Sequence, residues 1–166
     1  MAMQKIYGAT GRQDGLYKIG RNKYELIYGF GKDTEDAETG YNYRQRFNHV
    51  PTPEEVKLLI ISTINADTDE KILNGFSWKG KRVWLSTENQ FNYKAAYDLA
   101  VQKGGATLPV TFKFGTDEAP EYHTFNDMAE FTDFYTQSLA HVSTALAAGW
   151  SEKDALGLDK FNLTIP

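Results

Sequence analysis

Three stretches of the chain repeat apolar residues at the spacing of a helix, and each opens on a threonine that can cap one. Three residues after each threonine stands a Glu, Gln or Asp, which strengthens the helix-start signal. Glycines follow the second and third stretches and indicate where those helices end. The pattern predicts helices from Thr52 to about Ala66, from Thr87 to Gly104 and from Thr124 to Gly149.

Shorter stretches alternate apolar and polar side chains, which is the pattern of a half-buried strand. Gly75–Leu85 predicts a hairpin around a Lys79–Gly80 turn. Trp84 then lies on the face opposite Val83 and Leu85. The other predicted strands are residues 3–8, 16–20, 23–30, 41–47, 107–114 and 121–124. The order of elements predicts an α+β fold, in which short antiparallel strands and hairpins pack against about three helices.

The character of the chain changes near Pro51. Residues 1–50 are rich in Gly, Tyr and charge, and their acidic stretch 31–40 is predicted to be an exposed loop. We predict that residues 1–50 form a Tyr/Gly-rich β segment, which could be an attachment or assembly module. Residues 51–166 are predicted to form an α+β body, because the strong helix signals begin there.

Length and composition fit one soluble domain of 166 residues, of which 41% are hydrophobic. The 18 basic and 22 acidic residues give a net charge of −4, which argues against a nucleic-acid partner. The chain has no cysteine, so disulfide scaffolds, thiolate metal sites and cysteine nucleophiles are excluded. No stretch approaches the ~20 apolar residues of a membrane span, and the N-terminus lacks a signal-peptide core. We therefore expect no membrane partner and no secretion by signal peptide.

Motifs that carry chemistry are absent from the sequence. It contains no glycine-rich phosphate loop and no nucleophile elbow, and its three histidines do not stand at zinc-ligand spacing. The adjacent Glu54 and Glu55 are explained by their place in the first turn of a predicted helix. The sequence therefore predicts a protein that is not an enzyme, with no catalytic residue, no metal site and no cofactor.

Aromatic residues are the unusual component, since ten Phe, ten Tyr and three Trp make up 14% of the chain. Tyr and Trp bury a large area and keep a polar group, so they suit both a core and a protein-binding face. Two tryptophans in one predicted hairpin could likewise cover a small core or form an aromatic clamp. The candidate interface residues are Tyr24, Tyr28, Tyr41, Tyr43, Trp78 and Trp84.

Residues 75–150 carry a succession of motifs. Gly75-Phe76-x-Trp78-x-Gly80 is followed by Val83-Trp84-Leu85-Ser86, by Leu108-Pro109-Val110-Thr111-Phe112 and by a long helix with Phe134 and His141. This succession resembles a domain of unknown function of tailed phages and prophages, found near tail-fibre and tail-assembly proteins. The chain departs from the family signature at Trp84, where the family varies, and at Phe112, where it often has Trp.

The resemblance implies a non-enzymatic structural or tail-associated virion protein that acts through protein–protein contacts. Its partners would be other phage structural proteins, with a homo-oligomer as a further option, and it would reside in the virion or in the host cytoplasm during assembly. A second interpretation is a tail-fibre assembly chaperone that is absent from the finished particle. A third is a small carbohydrate-binding or hydrolase module, with Trp78 and Trp84 as a stacking platform and Glu88 or Asp98 as acid or base.

Overall fold

A computed structural model describes residues 2–161, and the packing of the chain divides it into two compact units. Of the described residues, unit 1 contains 2–66 and 151–161, and unit 2 contains 67–150. Both units combine helices with small antiparallel sheets, which confirms the predicted α+β class.

The two compact units are not the same division as the predicted modules. The prediction of an attachment or assembly module in residues 1–50, followed by a body in residues 51–166, stays a prediction. The last residues of that predicted body, 162–166, lie outside the described residues.

The first four strands form one antiparallel sheet in unit 1, in the order β1-β4-β3-β2. They are β1 (Gln4–Ala9), β2 (Gly15–Gly20), β3 (Lys23–Gly31) and β4 (Gly40–Phe47), so the strands predicted before residue 50 are confirmed. β2 and β3 form a hairpin in which Asn22 has a φ of 55°, a left-handed conformation that Asn tolerates. β1 pairs with β4 and not with β2, its neighbour in sequence, so β1 and β2 lie at opposite edges of the sheet.

Helix α1 (Pro53–Asn74) supplies the apolar layer that covers one face of this sheet. The predicted capping box is confirmed: Thr52 Oγ1 accepts from the Glu55 amide at 3.2 Å, and Glu55 Oε2 accepts from the Thr52 amide at 2.7 Å. The core of unit 1 contains Met3, Leu26, Tyr28, Val56, Ile60, Ile64 and Phe161. Phe161 belongs to a short 3₁₀-helix, Leu158–Phe161, near the end of the chain.

The predicted end of the first helix near Ala66 is wrong, because α1 continues for two more turns to Asn74. The polar residues after Ala66 do not interrupt a helix when they can stay solvated on its surface. Lys71 pairs with Asp67 at 2.6 Å, one helical turn away, which supports this extension. Gly75 follows the last helical residue and is the residue type that commonly ends helices.

Unit 2 contains two hairpins, one whole helix and parts of two others. The elements after α1 are β5 (Phe76–Trp78), β6 (Lys81–Val83), α2 (Thr87–Gln102), β7 (Val110–Gly115), β8 (Pro120–Phe125) and α3 (Met128–Asp154). Lys79 and Gly80 both have positive φ, 49° and 76°, as a two-residue type I′ turn requires. The predicted hairpins are therefore confirmed, and no described helix is long and apolar enough to cross a membrane.

For two helices the predicted capping residue is wrong. The cap of α2 is Ser86, whose Oγ accepts from the Asn89 amide at 3.2 Å, so Thr87 is the first helical residue. Thr124 lies in β8, where its hydroxyl bonds that of Thr111 across the hairpin at 2.8 Å. Asp127 takes the predicted role of Thr124, because its Oδ1 accepts from the Glu130 amide at 2.9 Å.

The prediction that Gly149 ends the last helix is also wrong, since α3 continues to Asp154. Gly149 is buried, and a methyl group added to it would collide with the side chain of Thr68 on α1. The glycine therefore permits two helical segments of unit 2 to approach closely. A sequence pattern cannot separate this use of glycine from a helix stop.

Aromatic side chains dominate the core of unit 2. β5 and β6, the β7–β8 hairpin, α2 and α3 each contribute to it. Phe134 of α3 lies at the centre, with ring centroids 5.1 Å from Tyr93, 5.3 Å from Phe114 and 5.1 Å from Phe125. Offset and edge-to-face contacts of this kind stabilise a core beyond the area they bury. The core therefore accounts for a large share of the unusual aromatic content.

Candidate functional site

The structure separates the six predicted interface aromatics by exposure. The buried ones are Tyr28, Tyr41 and Trp78, which are 3%, 8% and 1% exposed. Tyr24 and Tyr43 are half-buried, and Trp84 is 51% exposed. Of the six residues, only Tyr24, Tyr43 and Trp84 therefore offer substantial side-chain surface to a partner of the folded chain.

Two of the tyrosines lie together on β4, which is an inner strand of the unit 1 sheet. The rings of Tyr41 and Tyr43 meet edge to face at 5.5 Å, and the ring of Tyr7 meets Tyr41 at the same distance. Lys5 Nζ lies 4.3 Å from the Tyr41 ring centroid, within the range of a cation–π contact. Tyr7 is 61% exposed and was not among the predicted interface residues, although it lies in the predicted strand of residues 3–8.

Tyr28 has a structural role in unit 1. Its hydroxyl donates to Glu152 Oε1 at 2.6 Å, and the Arg12 guanidinium lies 5.2 Å from its ring centroid. Burial, and then the Glu152 carboxylate, raise the pKa of Tyr28. Arg12 is held in turn by Asp14, which also accepts from the Gly29 amide at 2.8 Å. The network ties the end of α3 to the sheet.

Replacing Tyr28 with phenylalanine is expected to lower the free energy of unfolding by about 1–3 kcal/mol, because a hydrogen bond to a charged group is lost. The raised pKa adds a pH dependence. The Tyr28 contribution is fully present below about pH 10, where the unfolded phenol is neutral, and is lost as the pH rises further. Urea unfolding of both proteins at pH 8 and pH 10.5, followed by circular dichroism, measures the difference. An equal stability of the two proteins at pH 8 would contradict this role.

Trp78 is a core residue, and its predicted place at an interface is not supported by its burial. Its ring contacts Phe125 at 5.3 Å and Phe134 at 5.4 Å. Its Nε1 donates to Asp133 Oδ2 at 2.9 Å, which holds the pKa of that carboxyl below its usual range. The only polar atom of the Trp78 side chain therefore forms a hydrogen bond at the margin of the core, as is common for buried tryptophans.

Trp84 is the exposed tryptophan of the same segment and lies just after β6. Its neighbours Val83 and Leu85 are 0% and 1% exposed, so the predicted opposite orientation of Trp84 is confirmed. The Trp84 carbonyl accepts from Asn89 Nδ2 at 2.9 Å, and the Leu85 carbonyl accepts from Gln90 Nε2 at 2.7 Å. Buried neighbours and bonded carbonyls fix the backbone, so an exposed indole is presented from a rigid support.

A groove of about 480 Å³ lies beside Trp84 within unit 2. Its polar and charged lining residues are Asn74, Arg82, Asn89, Lys113, Thr116, Asp117 and Glu118. One wall comes from the end of α1, β6 and the start of α2, and the other comes from the β7–β8 turn. Sequence reasoning found Trp84 but missed the other wall, because the turn lies some thirty residues further along the chain.

The β7–β8 turn has a defined conformation. Gly115 has a φ of 78°, and a methyl group added there would collide with the Ala119 carbonyl. The Ala119 amide donates to Thr116 Oγ1 at 3.1 Å. Lys113 Nζ pairs with Asp117 Oδ1 at 2.8 Å, and this pairing lowers the pKa of Asp117. The turn therefore offers a wall of defined shape, in which the charges of Lys113 and Asp117 are paired.

Four carboxyl groups have shifted pKa values, and the direction of the shift does not favour a role as a general acid. The pKa values of Glu55, Asp117, Glu130 and Asp133 are all moved downward from their usual values. A general acid at neutral pH needs the opposite shift. The burial of Trp78 leaves no stacking platform shared with Trp84, and Asp98 forms an ion pair with Lys94. No group of three or more metal-ligating side chains was found among residues 2–161.

Comparison with protein families gives one match. The profile of a family described as a domain of unknown function, DUF4376, matches residues 55–165. The chain belongs to this family. The DUF4376 match contains all of unit 2 and therefore both walls of the groove beside Trp84. Neither the curated proteins nor the solved structures gave a match.

Proposed function

We propose that this DUF4376 protein is a non-enzymatic assembly protein, which binds other proteins through the groove beside Trp84. The observation that carries the proposal is the exposure of Trp84 on a fixed backbone. Tryptophan and arginine are the residues that most often dominate the energy of protein interfaces, and Arg82 lines the same groove. Because the backbone at Trp84 is already fixed, binding costs little loss of backbone freedom there.

The groove has the chemistry of a peptide-binding surface. Trp84 supplies an apolar area, and the side-chain amides of Asn74 and Asn89 stand next to it. Arg82 Nη2 donates to Asn74 Oδ1 at 3.3 Å, so the guanidinium keeps further donors for a partner's carbonyl or carboxylate groups. We infer that the partner offers an apolar side chain for Trp84, flanked by polar or acidic groups.

The proposed setting is the tail of a phage particle, where the chain would contact other phage structural proteins. The support for this setting is the motif succession of residues 75–150, which resembles a domain found near tail-fibre and tail-assembly proteins. A tail-fibre assembly chaperone would use the same groove and would leave before the particle is complete. Purified particles distinguish the two roles: a virion protein is detected in them by mass spectrometry, whereas a chaperone is detected only in the producing cells.

Replacing Trp84 with alanine is expected to weaken binding to the phage tail protein by at least about thirtyfold, since a central tryptophan commonly contributes 2 kcal/mol or more. Titration calorimetry of the purified full chain against tail proteins of the same phage measures the loss of affinity. Phe91→Ala is the matched control, because Phe91 is a 69% exposed aromatic on α2 that does not line the groove.

The two variants separate a groove contact from a general loss of exposed aromatic surface. Equal weakening by Trp84→Ala and Phe91→Ala would overturn the assignment of the groove. Binding of a soluble oligosaccharide that depends on Trp84, with no binding of tail proteins, would favour the carbohydrate-binding interpretation instead. Both variants remove exposed side chains, so thermal unfolding should show little change in stability.

A further inference from the structure

The exposed side of helix α3 in unit 2 has an unusual composition. From Phe134 to Ser151 the sequence contains no Asp, Glu, Lys or Arg. A solvated helix face is normally rich in such residues. The exposed residues on one side of this stretch are Thr136, Leu139, Ala140, Ser143, Ala147 and Trp150, and we call them the α3 face.

The α3 face has the spacing of a helix–helix contact. Its members recur at intervals of three and four residues, which places them on one side of the helix over about 22 Å of length. Leu139 and Trp150 are 50% and 58% exposed and stand near its two ends, with small residues between them. His141 points away from this side, because its Nε2 bonds the Lys71 carbonyl at 2.8 Å.

We propose that the α3 face binds a second copy of this chain, with the two α3 helices antiparallel. The absence of charge makes the face self-complementary, because two copies meet without desolvating an ion or opposing like charges. A partner bound by electrostatic complementarity would find no charge to recognise along this stretch. The proposal is independent of the groove beside Trp84, which lies on other residues.

The antiparallel arrangement follows from the order of large and small side chains. A two-fold axis near Ser143 places Leu139 opposite Ala147, and it places Trp150 opposite Thr136. Each large side chain then meets a small one, as close packing requires. A parallel pair would oppose Leu139 with Leu139 and Trp150 with Trp150, and it would also align the helix dipoles unfavourably. The contact is short, so we expect a dimer of moderate affinity.

Ala147→Glu tests the proposal, since it places two carboxylates in the proposed contact. We expect sedimentation equilibrium to show a concentration-dependent dimer for the unchanged chain and at least a tenfold higher dissociation constant for the variant. The matched control is Ala95→Glu, an exposed alanine on α2, which should leave the dimer unchanged. Trp84→Ala should also leave it unchanged. A monomer at every concentration, or equal dimerisation of Ala147→Glu and Ala95→Glu, would overturn the proposal.

Single cysteines test the arrangement, because the chain has no other thiol. Ser143→Cys lies beside the proposed axis and should form an intermolecular disulfide under mild oxidation. Ala140→Cys should not, because antiparallel helices separate the two copies of residue 140 by about 10 Å along the axis. Rapid cross-linking through residue 140 would contradict the antiparallel pair, and an absence of cross-linking through residue 143 would contradict contact at this face.

Discussion

Replacing Trp78 with alanine is expected to lower the free energy of unfolding by about 3–5 kcal/mol, which makes it one of the two most damaging changes predicted for this chain. Trp78 is 1% exposed, and its ring lies between Phe125, Phe134 and the edge of His123. Alanine leaves a cavity among these rings and also removes the indole N–H that donates to Asp133 Oδ2 at 2.9 Å. Urea unfolding followed by circular dichroism measures the loss.

Trp78→Phe is the control that separates the two causes. It keeps most of the aromatic volume and removes the indole N–H, so we expect a smaller loss of about 1–2 kcal/mol. Trp84→Ala removes an exposed tryptophan six positions further along the chain and should change stability by less than about 0.5 kcal/mol. If Trp78→Ala were as stable as Trp84→Ala, the buried position of Trp78 would be wrong.

Replacing Phe161 with alanine is the second large effect that we expect, again about 3–5 kcal/mol. Phe161 is 1% exposed and packs in the core of unit 1, with Leu26, Val56 and Ile60 among that core's members. Phe161 is the buried residue of its short 3₁₀-helix, so the loss of its ring should loosen the segment. Hydrogen exchange of the amides of residues 156–161 should quicken together with the fall in stability.

Phe161→Leu provides the graded control, because leucine keeps part of the buried apolar area and should recover part of the stability. Phe91→Ala removes the same atoms from an exposed site and should have little effect. Unchanged stability of Phe161→Ala would show that the chain's last described residues contribute nothing to the unit 1 core.

The proposed function depends on which aromatic residues are exposed, and the tertiary structure decided this exposure. Trp78 and Trp84 both lie in the predicted hairpin Gly75–Leu85. The sequence did not indicate which of the two belongs to the core. Strand alternation alone placed Trp84 opposite Val83 and Leu85, and the structure confirms that placement. Which of the two faces would be covered depends on α3 and the β7–β8 hairpin, which supply the rings against Trp78.

The same limit applies to Tyr28 and Tyr41. Both stand in alternating strands, where a tyrosine can face either a core or solvent. Tyr28 is covered by residues from the far end of the chain, since its partner Glu152 is 124 positions away. No local pattern contains that information. The sequence likewise did not predict the groove beside Trp84, because the two walls of the groove come from separate parts of the chain.

The sequence by itself determined the α+β class, the strands of the first fifty residues, the Lys79–Gly80 hairpin and the capping box at Thr52, because each depends on neighbours within a few residues. Tertiary structure alone decided that α1 runs on to Asn74, that Gly149 is a contact and not a helix end, and that Phe161 belongs to a core. The physical reason is that burial and close approach are properties of pairs of segments, whereas periodicity and capping are properties of one.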